Sequence, residues 1–348
     1  MTRRDSRASC AAAFAVVAAV TRSCALVLLA LGAIAPRAAR AQTQLLIVSG
    51  LGGEPAYSRQ FAELSRSIAN AAHARFGIAD SLILWYGEDS TRTDRYYRGL
   101  STRANVERAV ARMSARARPG GRVVIALVGH GAGEGPDSRL SLPGPDLTAA
   151  DYERLLAGFG TQEVAVLALM SASGDAVATL SAPNRVVITA TKTAYERNEV
   201  RFPAQFARAL AEDVADADKD GRVSLLEAYR YAARETKRGY DDTQKLQTEH
   251  SLLDDDGDGR GTDAPTGRGD GALARRFFLD GAVRLARAGN DATLAALYDE
   301  QFALADQVEA LKARKATMTS DLYDGELERL LVALARKSRQ VRQREGAR

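Results

Sequence analysis

Two stretches decide the fold: VVIALVGHG at residues 123–131 and VAVLALMSASG at residues 164–174. Each is an unbroken apolar run that empties into a loop of small residues. A strand buried on both faces reads this way, because a parallel sheet covered by helices leaves no solvent face for polar residues to alternate toward. Three more runs, at 45–48, 82–85 and 186–188, have the same character. Between them the apolar residues change to helical spacing, with Tyr57, Phe61, Leu64 and Ile68 in one segment and Val106, Val110 and Met113 in another. Five strands joined by helical crossovers make an α/β sandwich around a mainly parallel sheet. Such sheets carry their sites in the loops after the strands.

Ser49-Gly50-Leu51-Gly52-Gly53 lacks the G-x-G-x-x-G spacing of a dinucleotide site, so its glycines read as a strand-to-helix turn. After the third strand comes Gly129-His130-Gly131, an imidazole left unshielded by its neighbours, with backbone N–H groups free to face a ligand. After the fourth comes Met170-Ser171-Ala172-Ser173-Gly174. It lies one strand along the same edge, where a serine can approach His130.

This ordered pair resembles the caspase and legumain superfamily of cysteine peptidases, most of all its legumain-type branch. Ser49-Gly50 followed by Tyr57-Ser58-Arg59-Gln60, and Ala190-Thr191 followed by Glu196-Arg197-Asn198-Glu199, extend the likeness over about residues 42–263. It implies a caspase-like three-layer sandwich and peptide-bond hydrolysis. The family's acid/base histidine falls on His130, its oxyanion-hole glycine on Gly131, and its nucleophilic cysteine on Ser171, since Cys-x-Ser-Gly reads here Ser171-Ala172-Ser173-Gly174. A serine hydroxyl without a hydrogen-bonded base is a poor nucleophile compared with a thiolate. The substitution therefore predicts a degenerate peptidase that binds peptides or proteins. An active endopeptidase using His130 with Ser171 or Ser173 is the other reading, and Glu196 or Glu199 is a candidate for lining its specificity pocket.

Asp216-Ala-Asp218-Lys-Asp220-Gly221-Arg222-Val-Ser224-Leu-Leu-Glu227 matches a calcium loop of the EF-hand type. Asp216, Asp218 and Asp220 supply carboxylates, Gly221 the sharp turn, Arg222 a backbone carbonyl, Ser224 the ninth position and Glu227 the bidentate closure. Ca2+ is the implied cofactor. A second acidic loop, Asp254 to Asp263, imitates the first half of such a site at Asp254, Asp256 and Asp258 but has Pro265 where the closing glutamate belongs. A looser calcium loop and a solvated linker both fit it. His250 precedes it as a capping or buried histidine, His73 reads as surface, and Arg268-Gly269-Asp270 as a chance tripeptide in a glycine-rich linker.

The chain of 348 residues is 46% hydrophobic and 26% charged, which suits a folded core and excludes fibrous and disordered classes. Its net charge of +4 comes from the first 41 residues, which hold six arginines and one acid. The remainder carries 42 basic and 43 acidic residues, so no nucleic-acid partner is expected. The apolar run at 24–35 and the small-x-small Ala39-Arg40-Ala41 read as a cleaved signal peptide at 1–41, giving a periplasmic or secreted protein that starts at Gln42 with no stable membrane span after cleavage; the other reading is an uncleaved anchor, since a second apolar stretch at 11–20 precedes Thr21-Arg22-Ser23. Both cysteines, Cys10 and Cys24, leave with it. The body spans 42–288. At 289–348, Leu294, Leu297, Leu304, Val308 and Leu311, then Tyr323, Leu327, Leu330, Leu334 and Val341, follow coiled-coil spacing around a break at 317–320. A helical hairpin, or self-association with a second copy, is expected there, and its basic end at 336–344 reads as a solvated helix end.

Overall fold

The computed structural model describes residues 42–217, 219, 221–266, 269–279 and 291–345. The segment 1–41 expected to be a signal peptide, Asp218, Asp220, Arg268 and the 288/289 boundary lie outside the described residues. In chain order, β1 (Thr43–Ser49), α1 (Pro55–Ala74), β2 (Ile83–Gly87), β3 (Tyr97–Leu100), α2 (Arg103–Arg116) and β4 (Arg122–Gly129) form the first half. Then come β5 (Gly131–Ala132), β6 (Arg139–Leu140), β7 (Leu147–Thr148), α3 (Ala149–Leu156), β8 (Glu163–Met170), α4 (Val177–Leu180) and β9 (Arg185–Thr189). The rest is α5 (Phe202–Ala211), α6 (Leu225–Asp242), β10 (Leu252–Asp254), α7 (Ala292–Ala313) and α8 (Ser320–Glu345).

The seven-stranded sheet runs β10-β9-β8-β4-β1-β2-β3, and only β10 is antiparallel to its neighbour. Alternation along the central strands sends side chains into two cores. Leu45, Ile47, Val124, Ala126, Val128, Leu167 and Leu169 pack with Phe61 and Ile68 of α1 and with α5 and α6. Leu46, Val48, Val123, Ile125, Leu127, Val166 and Ala168 pack on the other face with Val106, Val110 and Met113 of α2 and with α3. This is the expected three-layer α/β sandwich around a mainly parallel sheet.

The helix starts are specified locally. α1 opens with Pro55, whose fixed φ and missing N–H suit a first turn. α3 opens with a capping box in which Thr148 and Asp151 satisfy each other's backbone N–H groups. Arg103 of α2 clamps the same Asp151 carboxylate through two nitrogens at 3.0 and 2.8 Å, tying two helices of one layer together. Asp151 is held well below the usual carboxylate range, chiefly by Arg103.

All five expected strands form: β4, β8 and β9 extend one residue beyond each end of their apolar runs, β1 starts two residues earlier and ends one later, and β2 starts one residue later, at Ile83, and ends two later. Two edge strands, β3 and β10, and the small antiparallel sheet β5-β6-β7 were not anticipated. Within four residues, β3 carries Gly99 at φ +131, and β10 spans only three. Neither is long enough for periodicity to register.

α7 and α8 form the expected helical hairpin, folded back on itself. Leu294 and Tyr298 pack with Val341 near one end, and Val308 and Leu311 with Tyr323 and Leu330 near the other. Gln301, which interrupts the apolar spacing, donates to Ser338 Oγ at 3.2 Å. The basic end is not simply solvated: Lys337 pairs with Glu300, and Arg344 with Asp291 at 2.8 Å. Among the described residues, no helix is long and apolar enough to cross a membrane.

Candidate functional site

The register of β4 and β8 sets Gly129 opposite Met170, so His130 and Ser171 are the next residues on neighbouring strands, which run about 4.8 Å apart. Both follow, by two residues, side chains that face α1: Val128 and Leu169 belong to the core beneath that helix. The sequence pair is thus brought together on one face of the sheet.

The imidazole of His130 stands edge-on to Tyr57 and Phe61 of α1, with centroid separations of 4.7 and 4.9 Å. Among the described residues, nothing hydrogen-bonds to the ring. Ser171 is 4% exposed, and its Oγ accepts the Gly131 N–H at 3.2 Å. Glycine is required at 131, because a Cβ there would lie 2.2 Å from the Ser171 carbonyl oxygen. The next residue, Ala172, has φ +53, a left-handed conformation that costs an alanine free energy and tends to occur at functional turns. Its N–H donates to the Glu196 carbonyl at 2.9 Å, which holds the turn.

Ser173 corrects one of the expectations. It is fully buried, and its Oγ accepts the N–H groups of Ala190 and Thr191 at 3.1 and 3.3 Å and meets Thr191 Oγ1 at 3.2 Å. A hydroxyl so enclosed ties the β8 turn to the loop after β9 and has no path to a substrate. Gly174 completes that seam, since a Cβ would meet the Lys192 carbonyl carbon at 2.0 Å.

His130 and Ser171 share the wall of a cleft of about 370 Å³ with Tyr57, Phe61, Leu169, Asn198, Glu199 and Val200, and helix α5 contributes Pro203, Ala207 and Arg208. Of the two glutamates, Glu199 reaches it and is held by Gln60 Nε2 at 3.1 Å. Glu196 is turned elsewhere: its carboxylate accepts the N–H of Lys192 at 2.8 Å and of His250 at 3.0 Å, and pairs with His250 Nδ1 at 2.6 Å. His250 is therefore a partly exposed brace. Beside it, buried Glu249 caps α5 by accepting the N–H groups of Arg201 and Phe202 and the Tyr240 hydroxyl, and burial pushes its carboxyl up. Neither the aromatic wall around His130 nor the Glu249 cap was legible in the sequence, where Tyr57 and Phe61 registered only as an apolar helix face.

The 216–227 loop joins α5 to α6, and these helices pack against each other. Asp216 Oδ2 accepts the Gly221 N–H at 3.0 Å, while its Oδ1 is buried and has no hydrogen-bond partner among the described residues. Gly221 has φ +85. Glu227 closes a capping box with Ser224 and also accepts the Ala217 N–H at 3.0 Å, so its carboxylate spans the loop from end to end. Arg222 is buried with its guanidinium over the Phe278 ring, leaving its backbone as the only part suited to a cation. The orphaned Asp216 oxygen and the enclosing Glu227 carboxylate suit a hard cation.

No family model and no curated protein matches this chain. Among solved structures it is similar to protein GSU0716 from Geobacter sulfurreducens at 14% identity, over 56% of this chain and 89% of that one, with a TM-score of 0.35. It is similar also to drICE at 10% identity, over 65% of this chain and 95% of that one, with a TM-score of 0.34.

Proposed function

We propose that this is an exported, calcium-binding protein of caspase/legumain type whose cleft holds a peptide or protein segment without cleaving it. One observation carries the reading: at the position of the family's thiol stands a serine whose Oγ is bonded to the Gly131 N–H, while the His130 ring is packed edge-on against Tyr57 and Phe61. A serine acts as a nucleophile when a base accepts its proton, and an oxyanion is stabilised by a donor that points at it. Here the base lacks the hydrogen bond and the donor is engaged.

The cleft that remains suits binding. Its aromatic and aliphatic floor accommodates an apolar side chain, and Glu199 at the rim favours a peptide with a cationic residue nearby. The test is to elute peptides from the purified chain and measure their affinity by titration. Tyr57→Ala and Glu199→Gln should each weaken binding about tenfold; unchanged affinity in both sinks the cleft as the binding site.

The second reading, an active endopeptidase, is favoured by the shared cleft wall. A substrate carbonyl that displaces the Gly131–Ser171 hydrogen bond would leave Ser171 facing the carbon and the Gly131 N–H facing its oxygen, with His130 beside the leaving nitrogen.

Calcium in the 216–227 loop is part of the proposal, with Asp216, Ser224, Glu227 and the Arg222 carbonyl as ligands on the described residues and Asp218 and Asp220 completing the set. The ion would supply charge compensation and rigidity between α5, which walls the cleft, and α6.

A further inference from the structure

Downstream of the helix-loop-helix, a group of carboxylates is left unused by both the cleft and the 216–227 loop. Asp254 ends β10 and is wholly buried. Its Oδ1 meets the Gly257 N–H at 3.4 Å and the Ser181 hydroxyl favours the charged carboxylate, yet among the described residues the buried Oδ2 has no hydrogen-bond partner within 3.5 Å. Asp256 and Asp270 converge on it, and one oxygen from each of the three lies within 4.8 Å of the others. Carboxylates at this spacing, one of them wholly buried, repel one another unless a cation joins them. Burial pushes Asp254 up, and burial with the charges of Asp256, Asp254 and Asp255 pushes Asp270 up to about 6.

The set differs from the one the sequence spacing suggests. Asp258 is not in the group; its Oδ1 accepts the Arg260 N–H at 2.7 Å, a local turn bond. Asp255 is not in it either, since its two oxygens accept the N–H groups of Gly271 and Ala274 at 2.8 and 2.6 Å. Those bonds fold the 269–276 segment back onto the end of β10, and that fold delivers Asp270, whose Oδ1 also accepts the Asp255 N–H at 3.1 Å. The third carboxylate thus comes from the glycine-rich linker.

We infer that Asp254, Asp256 and Asp270 form a second cation site, separate from the 216–227 loop, that takes one Ca2+ and clamps the end of β10 to the 269–276 turn. The donors are all carboxylate oxygens, with no imidazole or thiolate, which selects a hard cation. Their spread matches the width of a calcium shell, whose ligands stand about 2.4 Å from the ion, and backbone carbonyls and water complete the six to eight oxygens about such an ion. The clamp has a structural consequence. The same segment continues to Phe277 and Phe278, which pair with Leu225 and Ser224 at the exit of the other loop, Leu225 donating to the Phe277 carbonyl at 3.0 Å.

The test counts calcium bound to the purified chain by isothermal titration, with magnesium as the control. The proteins are the native chain, Glu227→Gln, and Glu227→Gln combined with Asp270→Asn or with Asp256→Asn, each checked for its fold by circular dichroism. The Glu227→Gln protein should still bind one calcium, and each added substitution should weaken that binding at least tenfold. Because Asp256 is exposed, its variant decides the matter if Asp270→Asn does not fold. A folded Glu227→Gln protein that binds no calcium, or residual binding that neither aspartate substitution alters, overturns the site. Calcium that survives Glu227→Gln undiminished and is lost in the double variants upholds this site while removing the 216–227 loop.

Discussion

The Oγ of Ser171, on the wall of the cleft, accepts a hydrogen bond of 3.2 Å from the N–H of Gly131, so the serine hydroxyl and that backbone donor satisfy each other. Close approach of two strand ends makes this possible, and glycine is the residue that permits it. Gly131→Ala would drive a methyl group into the Ser171 carbonyl, a backbone clash that no rotamer change relieves. It should cost about 3 kcal/mol, at the upper end of overpacking substitutions. Gly160→Ala, where nothing lies within 4 Å of the added Cβ, should be nearly neutral. Urea denaturation of the two variants checks the contrast, and equal stabilities would refute the close approach.

Calcium should raise the melting temperature of the native chain, because an ion that binds the folded state stabilises it by mass action. At free calcium about 100 times the dissociation constant, the gain is about 2.7 kcal/mol. Glu227→Gln should lose most of the part of this gain that belongs to the 216–227 loop, since in the proposed calcium site the twelfth position would provide two ligand oxygens. Melting curves with calcium, magnesium and chelator test it; a shift that is equal in native and variant proteins argues against the loop.

Asp151 predicts a pH dependence. Its folded pKa lies below that of an unfolded aspartate, so its contribution is complete above about pH 4 and is lost as pH falls toward the folded value. Asp151→Asn, which removes the charge from the Arg103 clamp and the α3 cap, should cost about 1–3 kcal/mol at pH 7. The difference between native and variant should shrink below pH 4. A difference that stays constant from pH 7 to pH 3 would contradict the assignment.

Export makes a separate prediction. Protein recovered from an exported fraction should begin at Gln42, as read by intact mass. A chain that retains residues 1–41 in the membrane fraction would contradict cleavage.

The central sheet was legible because strands buried on both faces leave unbroken apolar runs, and residues 123–128 and 164–169 are such runs. The neighbourhood of His130 and Ser171 followed from it, since two loops after adjacent parallel strands must share an edge. What the sequence hid depended on contacts between distant segments. Ser173 looked as available as Ser171, and only the loop after β9, folding over it, makes it internal. Asp270 looked like part of a linker, and only the Asp255 bonds to Gly271 and Ala274 carry it to Asp254. Glu196 and Glu199 were equivalent on paper; the position of His250 separates them.

The most direct measurement of the central claim is turnover. The native chain, Ser171→Ala and Ser171→Cys should be incubated with a broad fluorogenic peptide library, with calcium present, and the products read by mass spectrometry. The account predicts no cleavage by the native chain above that of Ser171→Ala, and gain of cleavage on placing a thiol beside His130 in Ser171→Cys. Cleavage by the native chain that disappears in Ser171→Ala would contradict it and make Ser171 a working nucleophile.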